Sequence, residues 1–218
     1  MAVAWDDYLR EVQPYVAGCP TQLMLRAVRN AAIELANESS ILRANHAPID
    51  SVVDQTAYPL TAPANTDITM IINAMYDDSQ MDPLTETDAD HLSPAWRNGG
   101  SLYGRYYQTD PAILDLAWEP SEAVVGAIDI RFAYRPSIAS TSGDDLLFRD
   151  WLMPIAAGAM AKLKAMPKER WSADATLDRH EFIKGKSLAR IRGGRGHTFG
   201  GGRVQMRPLV GGRNAGWR

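Results

Sequence analysis

Hydrophobic positions repeat every three to four residues near the start of this chain, every two through its middle, and every three to four again further on. Met24, Val28, Ala31, Leu35 and Leu42, with Leu23 and Ala27 beside them, predict an amphipathic helix over residues 21–43. Pro20 fits its first turn, where a missing N–H costs nothing. Ahead of it, AWDDYLREVQ (residues 4–13) predicts a short helix with Trp5, Leu9 and Val12 on one side. From about 46 to 140 the period is that of half-buried strands. Ile68, Met70, Ile72, Ala74 and Tyr76 alternate with polar neighbours, as do Ile128, Ile130, Phe132 and Tyr134. Leu114, Leu116 and Trp118 share a face, and SLYGRYYQ is strand-like. YDDSQMDPL predicts a hairpin turn, and TETDADHL (residues 85–92) a short helix.

In DWLMPIAAGAMAKLKAMP, Leu152, Ile155, Ala156, Ala159, Leu163 and Met166 return to a helical face. Pro154 should mark a first turn or a kink, and Pro167 a stop. Ser172 is expected to cap a last helix with Phe182 and Ala189 inward. The expected fold class is therefore α+β: a helical bundle formed by the N- and C-terminal regions, an inserted antiparallel β module and an extended C-terminal arm. The boundaries implied are 1–45 and 146–192 for the bundle, 46–145 for the β-rich module and 193–218 for the arm.

Charge sharpens the division. The 218 residues carry a net −3, but residues 190–218 hold seven arginines and no acid, leaving −10 for residues 1–189. The same tail holds nine of the seventeen glycines, a composition expected to be disordered when free. No apolar run approaches the ~20 residues of a membrane span. The N-terminus has acids where an export signal carries Lys or Arg.

Candidate chemistry is sparse. His46, His91, His180 and His197 have no metal-ligand spacing, and Cys19 is a lone cysteine. Asp88 and Asp90 begin a calcium-like pattern that Leu92 and Ser93 break. KGKS (residues 184–187) resembles the end of a phosphate loop, but His180 stands where glycine is needed. GRGHTFGGG lacks the flanking strand and helix of a dinucleotide fingerprint. No metal, cofactor or catalytic group is expected. Two readings of the arm are open. RGGRG suits loose nucleic-acid binding by charge and stacking. RVQMRPLV suits an extended strip laid on a protein, with Arg203 and Arg207 pairing carboxylates.

Nearly the whole chain resembles the head-to-tail adaptor proteins of tailed bacteriophages, similar to the tail tubular A proteins of short-tailed phages. The stretches that carry it are YVAGCPTQLMLRAVRNAAIELANESS, AYPL, DLAWEP, IDIRFAYRPS and WLMPIAAGAMAKLKAMPKERWSADATLDRHEFIKGKSLAR, in that order, then the glycine- and arginine-rich tail. Ala17 stands where the family has proline. The resemblance implies a non-enzymatic virion protein at the head–tail interface, assembled in the host cytoplasm. Its partners would be the portal protein, a tail nozzle or tube protein, and further copies of itself in a ring, usually of twelve. DNA would pass through the lumen without sequence recognition. The arm would clasp the portal through Arg192, Arg195, Phe199, Arg203, Val204, Arg207, Arg213 and Trp217. The alternative is a nucleic-acid-binding module using the Arg/Gly-rich tail; such a module usually also has a basic folded face, and residues 1–189 are acidic.

Overall fold

The computed structural model describes residues 2–85, 87, 88, 91 and 102–193. Strand β1 (Ala2–Ala4) leads into a 3-10 helix, Trp5–Glu11, which buries Trp5, Tyr8 and Leu9. Helix α1 covers Thr21–Ser39. It stops short of residue 43 because Ser40 turns left-handed (φ 54°) and returns its N–H to the Ala36 carbonyl. Leu42 still reaches the core, from the loop beyond.

Strands β2 (Arg43–Asn45), β9 (Ile128–Pro136), β4 (Thr66–Tyr76) and β5 (Ser79–Gln80) form one sheet in that order. A second sheet runs β3 (Ala57–Pro59), β8 (Ile113–Leu116), β7 (Arg105–Tyr107), β6 (Asp82–Pro83). The two share a core of Tyr58, Leu114, Leu116, Ile128, Ile130 and Phe132. The β4–β5 turn is a mirror-image hairpin turn, with Asp77 (φ 47°) and Asp78 (φ 59°) both left-handed. In β9 the alternation of Ile128, Ile130 and Phe132 holds. In β4 it does not: Ile68, Ile71 and Ala74 are the buried residues. Register shifts after Ile68 and after Ile71 change the parity twice, so Met70 and Ile72 leave the face expected of them.

Strand β10 (Ser142–Asp144) pairs with β1 in a third, two-stranded sheet. Helix α2 covers Asp145–Lys164. Asp144 caps it, its Oδ1 accepting the Leu146 N–H at 2.9 Å, so Pro154 falls inside the helix rather than in its first turn. Helix α3 covers Thr176–Arg192. Its first turn is held by Asp174, not Ser172: Oδ1 accepts the Thr176 N–H at 2.9 Å and its hydroxyl at 2.6 Å. Thr87, Asp88 and His91 are helical; the rest of the expected 85–92 helix is only partly within the described residues.

The fold class differs from the α+β expectation. The chain is mixed α/β, about 39% helical and 25% strand, with three sheets of two to four strands and no evident helical bundle. The three helices touch one another, but they do not form a bundle of their own. The N-terminal segment fills much of their core with Trp5, Tyr8, Leu9, Val12 and Val16, and α1 also lies along β9. Tyr134 of β9 packs on both the helical and the strand cores. The strand region is not purely antiparallel either, because β6 and β7 pair in parallel. The short helix expected over residues 4–13 is present as the 3-10 helix, with Trp5, Leu9 and Val12 all buried as expected, while the three-residue β1 has no periodicity by which to place it from sequence; together they complete the helical layer.

Candidate partner-binding surface

Helix α3 offers the clearest separation of a packed side from an open one. Phe182, Gly185 and Ala189 are its buried positions. Two glycines let it approach α2. A Cβ on Gly185 would stand 2.5 Å from Cβ of Pro154, and one on Gly158 would stand 2.7 Å from the Phe182 ring. The Pro154 ring therefore sits in a notch that glycine creates.

Toward α1, α3 is held by charge. Lys186 Nζ donates to Glu34 at 2.7 Å and to Glu38 at 3.0 Å, and Lys162 reaches Glu34 at 2.9 Å. Arg190 pairs with Glu38. Burial pushes the Glu34 carboxyl up, but hydrogen bonds from Lys162 and Lys186 outweigh it and hold the group below its ordinary value. For Lys186, burial pulls downward, and the bonds to Glu34 and Glu38 more than reverse it. A depressed carboxyl stabilises the fold above its ordinary value near 4.5 and loses that contribution as pH falls below it. A raised ammonium loses its contribution only as pH climbs past its ordinary 10.5. Lys186→Met should therefore cost about 1–2 kcal/mol at neutral pH, between an exposed pair and a fully buried one. It should also flatten the acid limb of stability below pH ~4.5. Urea denaturation at several pH values measures both; equal stability of the two proteins at neutral pH would remove the network from the account.

The opposite flank of α3 is open. Leu177 (72% exposed), Leu188 (54%) and Ile191 (70%) form a row at spacings of eleven and three, with Lys184 between them. These positions lie on one side of a 3.6-residue helix. They have no counterpart among the inward residues that the sequence pattern identifies. The row ends at Gly193, the root of the arm. There the Arg43 guanidinium donates to the Gly193 carbonyl, while Arg43 Nε donates to the Ser40 carbonyl at 2.9 Å. A Cβ on Gly193 would run into the Ser39 carbonyl, so only glycine fits this crossing. The arm thus leaves from a fixed point beside β2.

Of the arm residues expected to bind a partner, Arg192 has a different place. It closes α3, donates to Asp150 at 3.1 Å, and lies 5.9 Å from the Trp151 ring centre, so its charge is already engaged within the molecule. Arg195, Phe199, Arg203, Val204, Arg207, Arg213 and Trp217 lie outside the described residues. A groove of about 470 Å³ between the helices is lined by Glu34, Lys162, Arg179, Phe182 and Lys186 among others. Its lysines are engaged by Glu34 and Glu38, so an ion-pair network runs along it.

Other candidate groups have structural roles. His46 Nε2 accepts the Thr61 N–H at 3.0 Å and its Nδ1 faces the Ala47 carbonyl at 2.6 Å, so the ring ties two loops together. Burial, then Glu169, pushes the Cys19 thiol up, away from nucleophilic use. KGKS is helix interior. Among the described residues no group of three His, Cys, Asp or Glu side chains could hold a metal, and no helix is long and apolar enough to cross a membrane. Comparison with known protein families finds none that matches this chain, and comparison with curated proteins finds no relative.

Proposed function

We propose that this chain is a virion structural protein: a head-to-tail adaptor that forms a ring, usually of twelve copies, between the portal and the tail nozzle or tube. One observation carries the reading. The exposed row Leu177, Leu188 and Ile191 ends beside Gly193, the glycine fixed by Arg43 from which the basic arm begins, which suits a shared role of row and arm in holding a protein partner. Exposed apolar rows of this kind mark association surfaces. A ring repeats each modest contact around its axis, which turns many marginal contacts into a lasting joint. The middle of the chain suits a DNA conduit: residues 41–140 hold fourteen carboxylates against five arginines and no lysine, a surface on which DNA slides.

Antibody raised against this chain should decorate the joint between head and tail of purified virions in electron micrographs. Label confined to tail tips, or absent from virions, would overturn the adaptor reading. A chain that instead binds labelled RNA or duplex DNA tightly, with loss of binding on removal of the arm, would favour the nucleic-acid-binding module.

A further inference from the structure

At the end of the strand sheets, three loops are tied together. The Ser51 N–H donates to the Val124 carbonyl at 2.9 Å, the Val124 N–H to Ser51 Oγ at 2.9 Å, and the Gly126 N–H to Asp50 Oδ1 at 2.7 Å. The Asp54 N–H donates to the Pro120 carbonyl at 3.1 Å, and the Asp77 N–H of the β4–β5 turn to the Ala127 carbonyl at 2.8 Å. This fixed tip holds Val52, Val53 and Val125 out to solvent, Val125 at 89% exposure. Three large apolar side chains on loops so firmly bonded are not there to fill a core. Asp50, Asp54, Asp77, Asp78, Glu119 and Glu122 surround them, all exposed, and residues 48–56, 77–80 and 119–127 contain no Lys or Arg.

We propose that this valine tip is the resting dock of the chain's own C-terminal arm, taking the segment RVQMRPLV, residues 203–210. The chemistry matches on both counts. The segment offers Arg203 and Arg207 to the carboxylates, and Val204, Met206, Leu209 and Val210 to the valines. The reach matches as well. The arm leaves Gly193 at Arg43, which pairs with Ala133 on β9, and the tip begins at Gly126. Seven residues of strand separate Ala133 from Gly126, roughly 23 Å. A glycine-rich tether of 10 to 17 residues, the span from Gly193 to 203 and 210, has a root-mean-square length of roughly 17–24 Å. Tether and span agree, the condition under which effective concentration is greatest. The contact needs no partner protein, so it stands or falls separately from the adaptor reading.

The test uses the full chain. Cys19 is buried, so a nitroxide on Gly211→Cys reports where the arm lies. The methyl resonances of Val52, Val53 and Val125 should lose most of their intensity at low salt. They should recover in about 0.5 M NaCl, where the screening length shrinks to ~4 Å, and in the Asp54→Asn/Glu119→Gln/Glu122→Gln chain. The loss should persist when the labelled chain is diluted into an excess of unlabelled chain, as an intramolecular contact requires. Unaffected valines at low salt would overturn the proposal. So would a loss that disappears on dilution, which assigns the tip to another copy's arm, or one indifferent to salt and to the neutral variant.

Discussion

Gly185→Leu, at the buried contact of α3 with α2, is expected to destabilise the protein by about 3 kcal/mol or more. The reason is local and rigid. Pro154 Cβ and Cγ stand 2.5 and 2.8 Å from where the new Cβ must be, and a pyrrolidine ring inside a helix has no rotamer by which to withdraw. Helix α3 would have to lift from α2, pulling Phe182 off Gly158 and Lys186 off Glu34 and Glu38. Gly185→Ala should fall between, because alanine recovers roughly 1 kcal/mol of helix propensity against a smaller clash. The two effects separate in a urea titration of all three proteins. A leucine variant with the wild-type midpoint would mean that α3 is not seated on α2 through this notch.

That notch also shows what could be read from the sequence and what could not. The small residues around Gly158 announce a close helix contact, and Phe182 and Ala189 are recognisable as inward. Gly185 is not, since KGKS reads as a solvated turn of helix until Pro154 is brought opposite it, thirty-one positions away. Periodicity finds α1, α2, α3 and β9 because each repeats the same environment along its length. It misplaces the β4 face because a bulge shifts parity without any mark in the residue types. It finds the short helix over residues 4–13 and its inward Trp5, Leu9 and Val12, but not that this segment fills the core between the helices, and so arrives at a bundle that the structure does not have. Caps follow the same rule. Asp174 and Asp144 do the work near where Ser172 and Pro154 drew attention, a shift of two residues in one case and of ten, nearly three turns, in the other. For the candidate surface, the basic arm is legible from composition alone. Its anchor is not, because Arg43 and Gly193 are 150 residues apart and neither belongs to a motif.

On the adaptor reading, Leu188→Asp combined with Ile191→Asp should leave the fold intact and remove docking to the portal. Both side chains are more than half exposed on the outer flank of α3, so the folded protein loses little by the exchange. Surface changes of this kind usually alter stability by no more than about 0.5 kcal/mol. In a docked complex the same two positions would instead bury carboxylates in an apolar contact, at a cost of at least ~2 kcal/mol per group. Two such groups per copy correspond to a loss of roughly three orders of magnitude in the affinity of each copy, before the ring multiplies it. The double change leaves Arg43, Gly193 and the arm itself untouched, so it separates the helix row's part in docking from the arm's. Co-sedimentation with assembled portal rings, alongside a thermal melt, measures the two quantities together. Normal melting with lost docking supports the shared role of row and arm. Normal melting with undiminished docking would leave the arm as the sole clasp and take α3 out of the interface.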